Sequence, residues 1–245
     1  NITPAMSVSI VDTTQDEFLD EISTPGCAGV YPVTAGFLMA CGDGRVQYLR
    51  LDSAGKEVAR TRSEPFFTVD EDPVFDYAVP GDRGWIFVSL EGHVYEVSVD
   101  GDTVMVSEPW SINPPDVEGA TDLNGVPIKA DDDWRIGGSQ PFAYNAENKL
   151  LLTLMHEGGG QETFEDSGTQ IWAFDTVLKR RAYVLDLDRD GEGGETGAIE
   201  MTSDGRPLLL IPMRGSEDLA IHDALSSRHL HTMKEMDVRK VQRLH

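Results

Sequence analysis

The feature that most constrains this chain is a short phrase that recurs five times, in which an apolar strand-like run ends in Asp and a polar turn follows. Successive copies are 40, 48, 75 and 48 residues apart. A period of about 40–50 residues with several strands per unit is typical of a β-propeller. The five terminal acids of the phrase are Asp12, Asp52, Asp100, Asp175 and Asp223.

The segments beside each phrase complete the pattern of a propeller blade. An apolar run of four to six residues precedes each of the last four copies, as expected of a strand covered on both faces. A more polar, alternating run follows several of them, as expected of an outer strand with one face in water. We interpret the repeated Asp as a turn residue, because its carboxylate can accept hydrogen bonds from the backbone N–H groups that follow it. The preceding apolar runs are 37–40, 85–88, 150–154 and 207–211.

The predicted fold is therefore all-β, a single β-propeller domain over residues 1–245. At about 45 residues per blade, the length of 245 residues gives about five blades. Open blade edges are exposed sheet edges, which a closed ring removes. We expect either a five-bladed ring or a larger ring whose first blades precede Asn1, and we favour the second.

The charge balance narrows the choice of partners. The chain has 43 acidic and 20 basic residues and a formal charge of −23. Nucleic acid and an anionic membrane surface are excluded as expected partners, because both require a basic surface. No apolar run approaches the 18 residues of a membrane span. A solvated acidic surface, a basic partner or a high-salt habitat remain as explanations.

Cys27 and Cys41 flank a predicted hairpin whose turn is 33–36. If the hairpin is centred on Thr34, the two cysteines lie directly opposite each other, about 4.5–5.5 Å apart at Cα. That separation suits a disulfide, which implies an oxidising compartment such as the periplasm. The alternative is a pair of free buried thiols in a cytosolic protein.

The 107–141 segment interrupts the repeat and accounts for the 75-residue spacing. It is too long for a simple turn, and long irregular segments on rigid scaffolds often carry binding surfaces. Trp134 and Arg135 near its end are residue types that anchor interfaces, so they are interface candidates. The alternative is a surface loop that packs on itself.

Residues 186–191 match the opening of a calcium loop, with carboxylates at alternate positions and Gly191 at the sharp turn. The twelfth position is Gly197 rather than Glu, so the bidentate ligand is missing, and the alternative substitutes are Glu192 and Glu195. An acidic connecting loop is the alternative that we favour. The weak calcium candidates are Asp186, Asp188, Asp190 and Glu195. Nucleotide-binding and nucleophile motifs are absent from the sequence, so we assign no catalytic, cofactor-binding or other metal-binding residue.

Four stretches resemble the large (heavy, or α) subunit of the tryptophan tryptophylquinone amine dehydrogenases, the methylamine and aromatic amine dehydrogenases. The first stretch contains the two cysteines, and the second begins Trp134-Arg135-Ile136-Gly137-Gly138. Ile136 stands where the family usually has Pro. The resemblance extends over nearly the whole chain, and its segments are 25–44, 134–144, 154–175 and 207–224.

The resemblance implies a seven-bladed propeller, of which this chain covers the later part, with a disulfide at Cys27 and Cys41. It also implies a periplasmic α2β2 heterotetramer in which the quinone is made from two tryptophans of the small subunit. That enzyme converts primary amines to aldehyde and ammonia and passes electrons to a copper protein or a cytochrome. The present chain would then be the scaffold subunit, with no cofactor of its own and with the catalytic groups on its partner.

A second function remains open on the sequence alone. A stand-alone periplasmic propeller that binds a ligand or protein without catalysis would show the same repeat and the same disulfide. It would differ in having no quinone-bearing partner.

Overall fold

The computed structural model describes residues 6–113, 120–128, 134–188 and 194–242, and these residues form β-strands, turns and one 3₁₀ turn at Gln161–Thr163. The strands belong to five antiparallel sheets, four of them with four or five strands. Within the described ranges, no helix has the length and apolar character that a membrane crossing requires.

The chain divides into two compact units. The first contains Asn1–Ala78, Arg83–Ser89 and Tyr95–Glu108, and the second contains Val79–Asp82, Leu90–Val94 and Pro109–His245. The predicted propeller blades are present as the four larger sheets, and the first sheet is a simple hairpin.

The first unit holds the hairpin β1–β2, a complete blade in the order β3-β4-β5-β6, and a run in the order β10-β9-β8. Its core packs Leu38 and Tyr48 of one blade with Phe87 and Val97 of the next. The strands of this unit are β1 (Ser7–Asp12), β2 (Glu17–Ser23), β3 (Cys27–Val33), β4 (Gly36–Cys41), β5 (Val46–Leu51), β6 (Glu57–Arg62), β8 (Gly84–Val88), β9 (His93–Asp100) and β10 (Thr103–Val106). Of β9, the residues from Tyr95 onward belong to this unit.

The second unit holds two blades. In the first of them β14 pairs with β15 and β15 with β16, while β12 and β13 pair with successive stretches of β14. The other runs β17-β18-β19-β20, and an apolar core lies between the two blades. The strands of this unit are β7 (Val79–Pro80), β11 (Trp110–Ser111), β12 (Trp134–Ile136), β13 (Phe142–Asn145), β14 (Leu150–Glu157), β15 (Gln170–Asp175), β16 (Arg180–Asp186), β17 (Glu200–Met201), β18 (Leu208–Pro212), β19 (Leu219–Asp223) and β20 (His229–Met233).

The middle strands are more deeply buried than the outer strands, as predicted. Seven of the eight residues of β14 are buried, whereas exposure alternates along the outer strand β6. In a propeller blade a middle strand is covered on both faces, whereas one face of an outer strand is in water. The continuous burial of β14 and the alternating exposure of β6 fit this arrangement.

Four of the five repeated Asp residues bind the turn that follows them, as predicted. The carboxylates of Asp12, Asp52, Asp175 and Asp223 each accept a hydrogen bond from the backbone N–H two residues later, at 2.8–3.0 Å. A β-bulge lies one to two residues before each of these four acids. The same combination of a bulge and an Asp-bound turn therefore recurs in four sheets. Asp100 differs, because it closes a two-residue turn onto Thr103 without a bulge.

We expect Asp52→Ala to destabilise the first unit by about 1 kcal/mol, because it removes the acceptor for the N–H groups of Ala54 and Lys56. Asp52→Asn keeps an oxygen in the same place and should retain most of the stability. Urea unfolding of both variants measures the difference. Equal losses in the two variants would show that charge, and not hydrogen bonding, is the contribution of this residue.

The turn of the hairpin that carries the cysteines lies half a residue from its predicted position. The turn is centred between Thr34 and Ala35 and not on Thr34, because Val33 pairs with Gly36. A bulge between Ala28 and Tyr31 then shifts the register by one residue and brings Cys27 opposite Cys41. The two form a disulfide with their Cα atoms 3.9 Å apart.

Part of the 107–141 segment is a small hairpin over residues 120–128. Asp122 accepts hydrogen bonds from Asn124 N and Val126 N at 2.8 and 2.9 Å, which is the turn geometry of Asp52. This 120–128 hairpin binds the outer strand β16, since Leu123 N donates to Arg181 O at 2.9 Å. It therefore covers part of an outer strand edge, a role that the sequence did not indicate.

Candidate functional site

Residues 134–140 connect the two blades of the second unit. Arg135 pairs across the strands with His156, and the N–H groups of Gly137 and Gly138 donate to Leu154 O and Phe164 O. Ser139 N then donates to Gly197 O at 2.8 Å, just before β17 of the next blade. The sequence motif thus serves as a connection between neighbouring blades.

Trp134, one of the two interface candidates, is half-buried against the blade. Its ring centroid lies 5.9 Å from that of Trp172, and the guanidinium of Arg181 lies 5.0 Å from the Trp172 ring on the same blade. Such ring and cation contacts contribute about 0.5–2 kcal/mol each. Burial lowers the pKa of Arg181, and its Nε has no hydrogen-bond partner within the described part of the chain.

Arg135, the other interface candidate, is held by its own chain. Its side chain is 17% exposed and lies 3.4 Å from a carboxylate oxygen of Glu91. Its Nη1 donates to Trp134 O at 2.9 Å, and a Cβ at Gly159 would lie only 2.4 Å from its Cβ and Cγ. An interface through Trp134 and Arg135 stays a prediction, and both residues are half-buried.

Close packing explains the glycine at position 137, which follows the Trp-Arg-Ile run. A Cβ at Gly137 would lie 2.5 Å from the ring of His156 and 2.6 Å from Asp166 O. His156 is 6% exposed, and its Nε2 has no hydrogen-bond partner within the described residues. The close contact with a buried imidazole therefore explains why a residue without a side chain occupies position 137.

The calcium candidates are only partly described. Asp186 Oδ1 accepts a hydrogen bond from Asp188 N at 3.0 Å, and Asp188 Oδ1 accepts one from Gly194 N at 3.3 Å. Glu195 contributes its backbone carbonyl to Arg214 N at 2.9 Å. Asp190 lies outside the described residues. Within the residues that are described, no group of three or more His, Cys, Asp or Glu is placed to hold a metal ion.

Two clefts that described residues of the second unit line differ in size. The larger has a volume of about 1110 Å³ and lies between β16 and the β19–β20 blade. His222 lines it, and its Nδ1 donates to Ser227 O at 2.9 Å. The His229 ring packs edge-on at 5.1 Å. Burial, more than any other cause, lowers the pKa of His222, so the neutral ring is the favoured form.

The smaller cleft has a volume of about 600 Å³ and is lined by charged side chains of both signs. They come from the segments before β17, between β18 and β19, and after β20. Sequence reasoning missed this cleft, because nothing in a linear pattern shows that these separate segments meet. Its charged residues are Glu195, Arg214, Glu217, Asp237, Arg239 and Lys240.

The fold is similar to that of solved β-propellers. The β-propeller domain of Myceliophteria thermophila Cps50 (Swd1) superimposes with a TM-score of 0.56 at 10% identity, covering 89% of this chain and 62% of that one. Quinohemoprotein alcohol dehydrogenase ADHIIG from Pseudomonas putida HK5 gives a TM-score of 0.53 at 14% identity, over 95% of this chain and 40% of that one. At these identities the likeness shows the β-propeller fold alone.

The comparison with sequence relatives identifies the family, which the fold comparison does not. The methylamine dehydrogenase heavy chains of Paracoccus versutus and Methylobacillus flagellatus are 23% and 22% identical over 235 and 236 residues. Each alignment covers 95% of this chain and 50% and 54% of the relative, so the chain spans about half the length of these relatives. The family model of the methylamine dehydrogenase heavy chain (MADH) matches residues 1–241. The chain belongs to the methylamine dehydrogenase heavy chain family.

Proposed function

We propose that this chain is part of the large subunit of a periplasmic amine dehydrogenase whose quinone is carried by a separate small subunit. The observation that carries the proposal is the match of residues 1–241 to the heavy chain family. The proposed reaction is the oxidative deamination of a primary amine to an aldehyde and ammonia. Electrons then pass to a copper protein or a cytochrome.

In this proposal the present chain is the scaffold and the catalytic groups lie on the small subunit. Its reactive side chains have structural contacts that support this division. Asp175 and Asp223 bind the backbone of their turns, and Cys27 and Cys41 are joined. His222 is bound to the carbonyl of Ser227.

The tryptophans of the chain also have packing roles. The indole N–H of Trp85 donates to Pro32 O at 2.7 Å, and that of Trp172 donates to Gln170 Oε1 at 2.9 Å. Trp110 packs on Phe174 with ring centroids 5.8 Å apart. These contacts support a tryptophan-derived quinone that is formed from residues of the partner.

The disulfide supports a periplasmic location. Disulfides persist in oxidising compartments such as the bacterial periplasm and are rare in the reducing cytosol. Both cysteines are buried in an apolar cluster with Phe37 and Leu49, which protects the bond from solvent reductants.

The proposed docking region for the small subunit includes Trp134, in an α2β2 heterotetramer. Half-buried aromatic rings with a rigid setting are common anchors of interfaces, because they lose little conformational freedom on binding. The tilted contact of the Trp134 ring with the Trp172 ring supplies such a setting.

The test is to isolate the native assembly that carries this chain and to examine it by native mass spectrometry and quinone staining. We expect a second, smaller chain in equal number that stains for quinone and loses its visible absorbance with phenylhydrazine. The same assembly should release ammonia and aldehyde from a primary amine. A single chain with no quinone absorbance would instead indicate a stand-alone propeller that binds without catalysis.

A further inference from the structure

We propose that His222 and His229 bind a divalent transition-metal ion of the class that imidazole prefers, such as Cu²⁺ or Zn²⁺. The two residues, called the histidine pair below, lie on the neighbouring strands β19 and β20 of the last blade. Both line the larger cleft of the second unit. The proposed site is separate from amine oxidation and does not require the quinone.

The pairing register sets the two imidazoles side by side. His222 pairs directly with His229, because the bulge after Ile221 shifts the pairing by one residue past Leu230. The ring centroids lie 5.1 Å apart, and the ring planes are inclined by 80°. Two imidazoles that bind one tetrahedral ion through nitrogens at about 2.0–2.1 Å have centroids roughly 5 Å apart. The histidine pair therefore has the spacing of two ligands of one ion.

The same position in the other sheets whose turns are bound by the repeated Asp holds no pair of metal ligands. There the two residues that pair directly after the bulge are Val11 with Phe18, Leu51 with Glu57, and Phe174 with Arg181. The bulge is thus a feature of the repeated fold, whereas the two imidazoles are particular to the last blade. The fold alone does not explain why both positions are histidine.

Each ring is oriented through one nitrogen and keeps the other for a ligand. His222 Nδ1 lies 2.9 Å from Ser227 O, and a carbonyl oxygen can only accept, so Nδ1 carries the proton and Nε2 keeps its lone pair. His229 Nε2 lies 2.8 Å from Thr232 Oγ1, which leaves its Nδ1. Metal-binding histidines are usually held in this way, because a hydrogen bond at the second nitrogen fixes both the tautomer and the direction of the ring.

The surroundings select the class of ion. The charged side chains of the cleft are Asp186, Arg214 and Arg228, so the hard cations Ca²⁺ and Mg²⁺ do not find the several carboxylate oxygens that they require. Imidazole nitrogens instead favour Cu²⁺ and Zn²⁺. Among the described residues no third His, Cys, Asp or Glu completes a group of ligands around the pair. The cleft, of about 1110 Å³, has room for water molecules at the remaining coordination positions.

The experiment titrates the native assembly, stripped of metal with EDTA and then freed of the chelator, with CuSO₄ or ZnCl₂ by isothermal titration calorimetry. We expect the tightest site to take one Cu²⁺ per copy of this chain and to bind Zn²⁺ less tightly, the usual order for nitrogen ligands. Pulsed electron paramagnetic resonance of the Cu²⁺ complex should show two imidazole nitrogens on the ion. A tightest site with one imidazole nitrogen or none, or the absence of a site that takes one ion per chain, would overturn the proposal.

Two variants assign the ligands, and a third is the matched control. His222→Gln and His229→Gln should each weaken Cu²⁺ binding at least tenfold and remove one imidazole nitrogen from the spectrum. His231→Gln should leave the affinity within twofold, because His231 lies on the same strand but pairs with Ile221 and does not line the cleft. An equal loss in all three variants would show that the ion binds surface imidazoles in general, and the proposal would be wrong. The spectrum of the unaltered protein decides the proposal even if a variant fails to fold, and neither measurement depends on amine oxidation.

Discussion

Removal of the Cys27–Cys41 disulfide is expected to destabilise the first unit by about 3 kcal/mol. The bond closes a loop with a sequence separation of 14, and cross-linking a loop of that length restricts the unfolded chain by about this amount. The cysteines are also buried with Ile22 and Met39, so the bond joins two strands at the apolar core. Guanidinium unfolding of Cys27→Ala/Cys41→Ala, compared with the unaltered protein, measures the loss.

Reduction supplies the matched control for this prediction. Because the bond is buried in the folded protein, it is reduced with dithiothreitol in denaturant and the protein is then refolded with its thiols reduced. The reduced protein should approach the stability of the double variant, and the same treatment should not change the variant itself. If reduced and oxidised protein unfolded at the same denaturant concentration, the bond would have no stabilising role. The periplasmic proposal would then lose one of its supports.

Phe87→Ala is expected to cost the first unit about 3–5 kcal/mol, because it deletes a fully buried ring. Phe87 is 0% exposed and packs edge-on against Tyr31, with ring centroids 4.9 Å apart. It belongs to the core that joins Leu38 and Val97 of neighbouring blades, so the cavity would lie between two sheets. Urea unfolding followed by tryptophan fluorescence measures the change.

Phe18→Ala is the control, since the same ring at position 18 is 63% exposed. It should change the free energy of unfolding by less than about 0.5 kcal/mol. A loss at Phe18 as large as that at Phe87 would contradict the assignment of the core.

Local patterns predicted the strands and turns because their causes are local. An Asp that binds the N–H groups two to four residues ahead needs only its own turn, as at Asp52 and Asp175. Alternation in β6 and continuous burial in β14 follow from the number of faces that each strand covers. These features could therefore be predicted from the order of residues alone.

The pairing register of β3 and β4 could be predicted only in part. The pairing of Cys27 with Cys41 was predicted from a turn centre that is wrong by half a residue. A bulge between Ala28 and Tyr31, where Gly29 adopts φ of +71°, makes up the difference. A Cβ at Gly29 would lie 2.6 Å from the Tyr31 hydroxyl, and that hydroxyl donates to Asp76 O at 2.8 Å. The bulge thus depends on a distant contact, which the pattern of the hairpin does not contain.

The sequence by itself determined the repeat, the turn acids, the paired cysteines and the resemblance to the heavy chain family, since each resides in short stretches of the chain. Only the tertiary structure decided where the 120–128 hairpin binds and which charged side chains line the smaller cleft of the second unit. Arg214 and Glu195 are joined by a hydrogen bond between backbones, and Asp237 reaches Glu217 in the same way. Such contacts form because strands of one blade and their connecting segments are brought side by side, and no local periodicity records them.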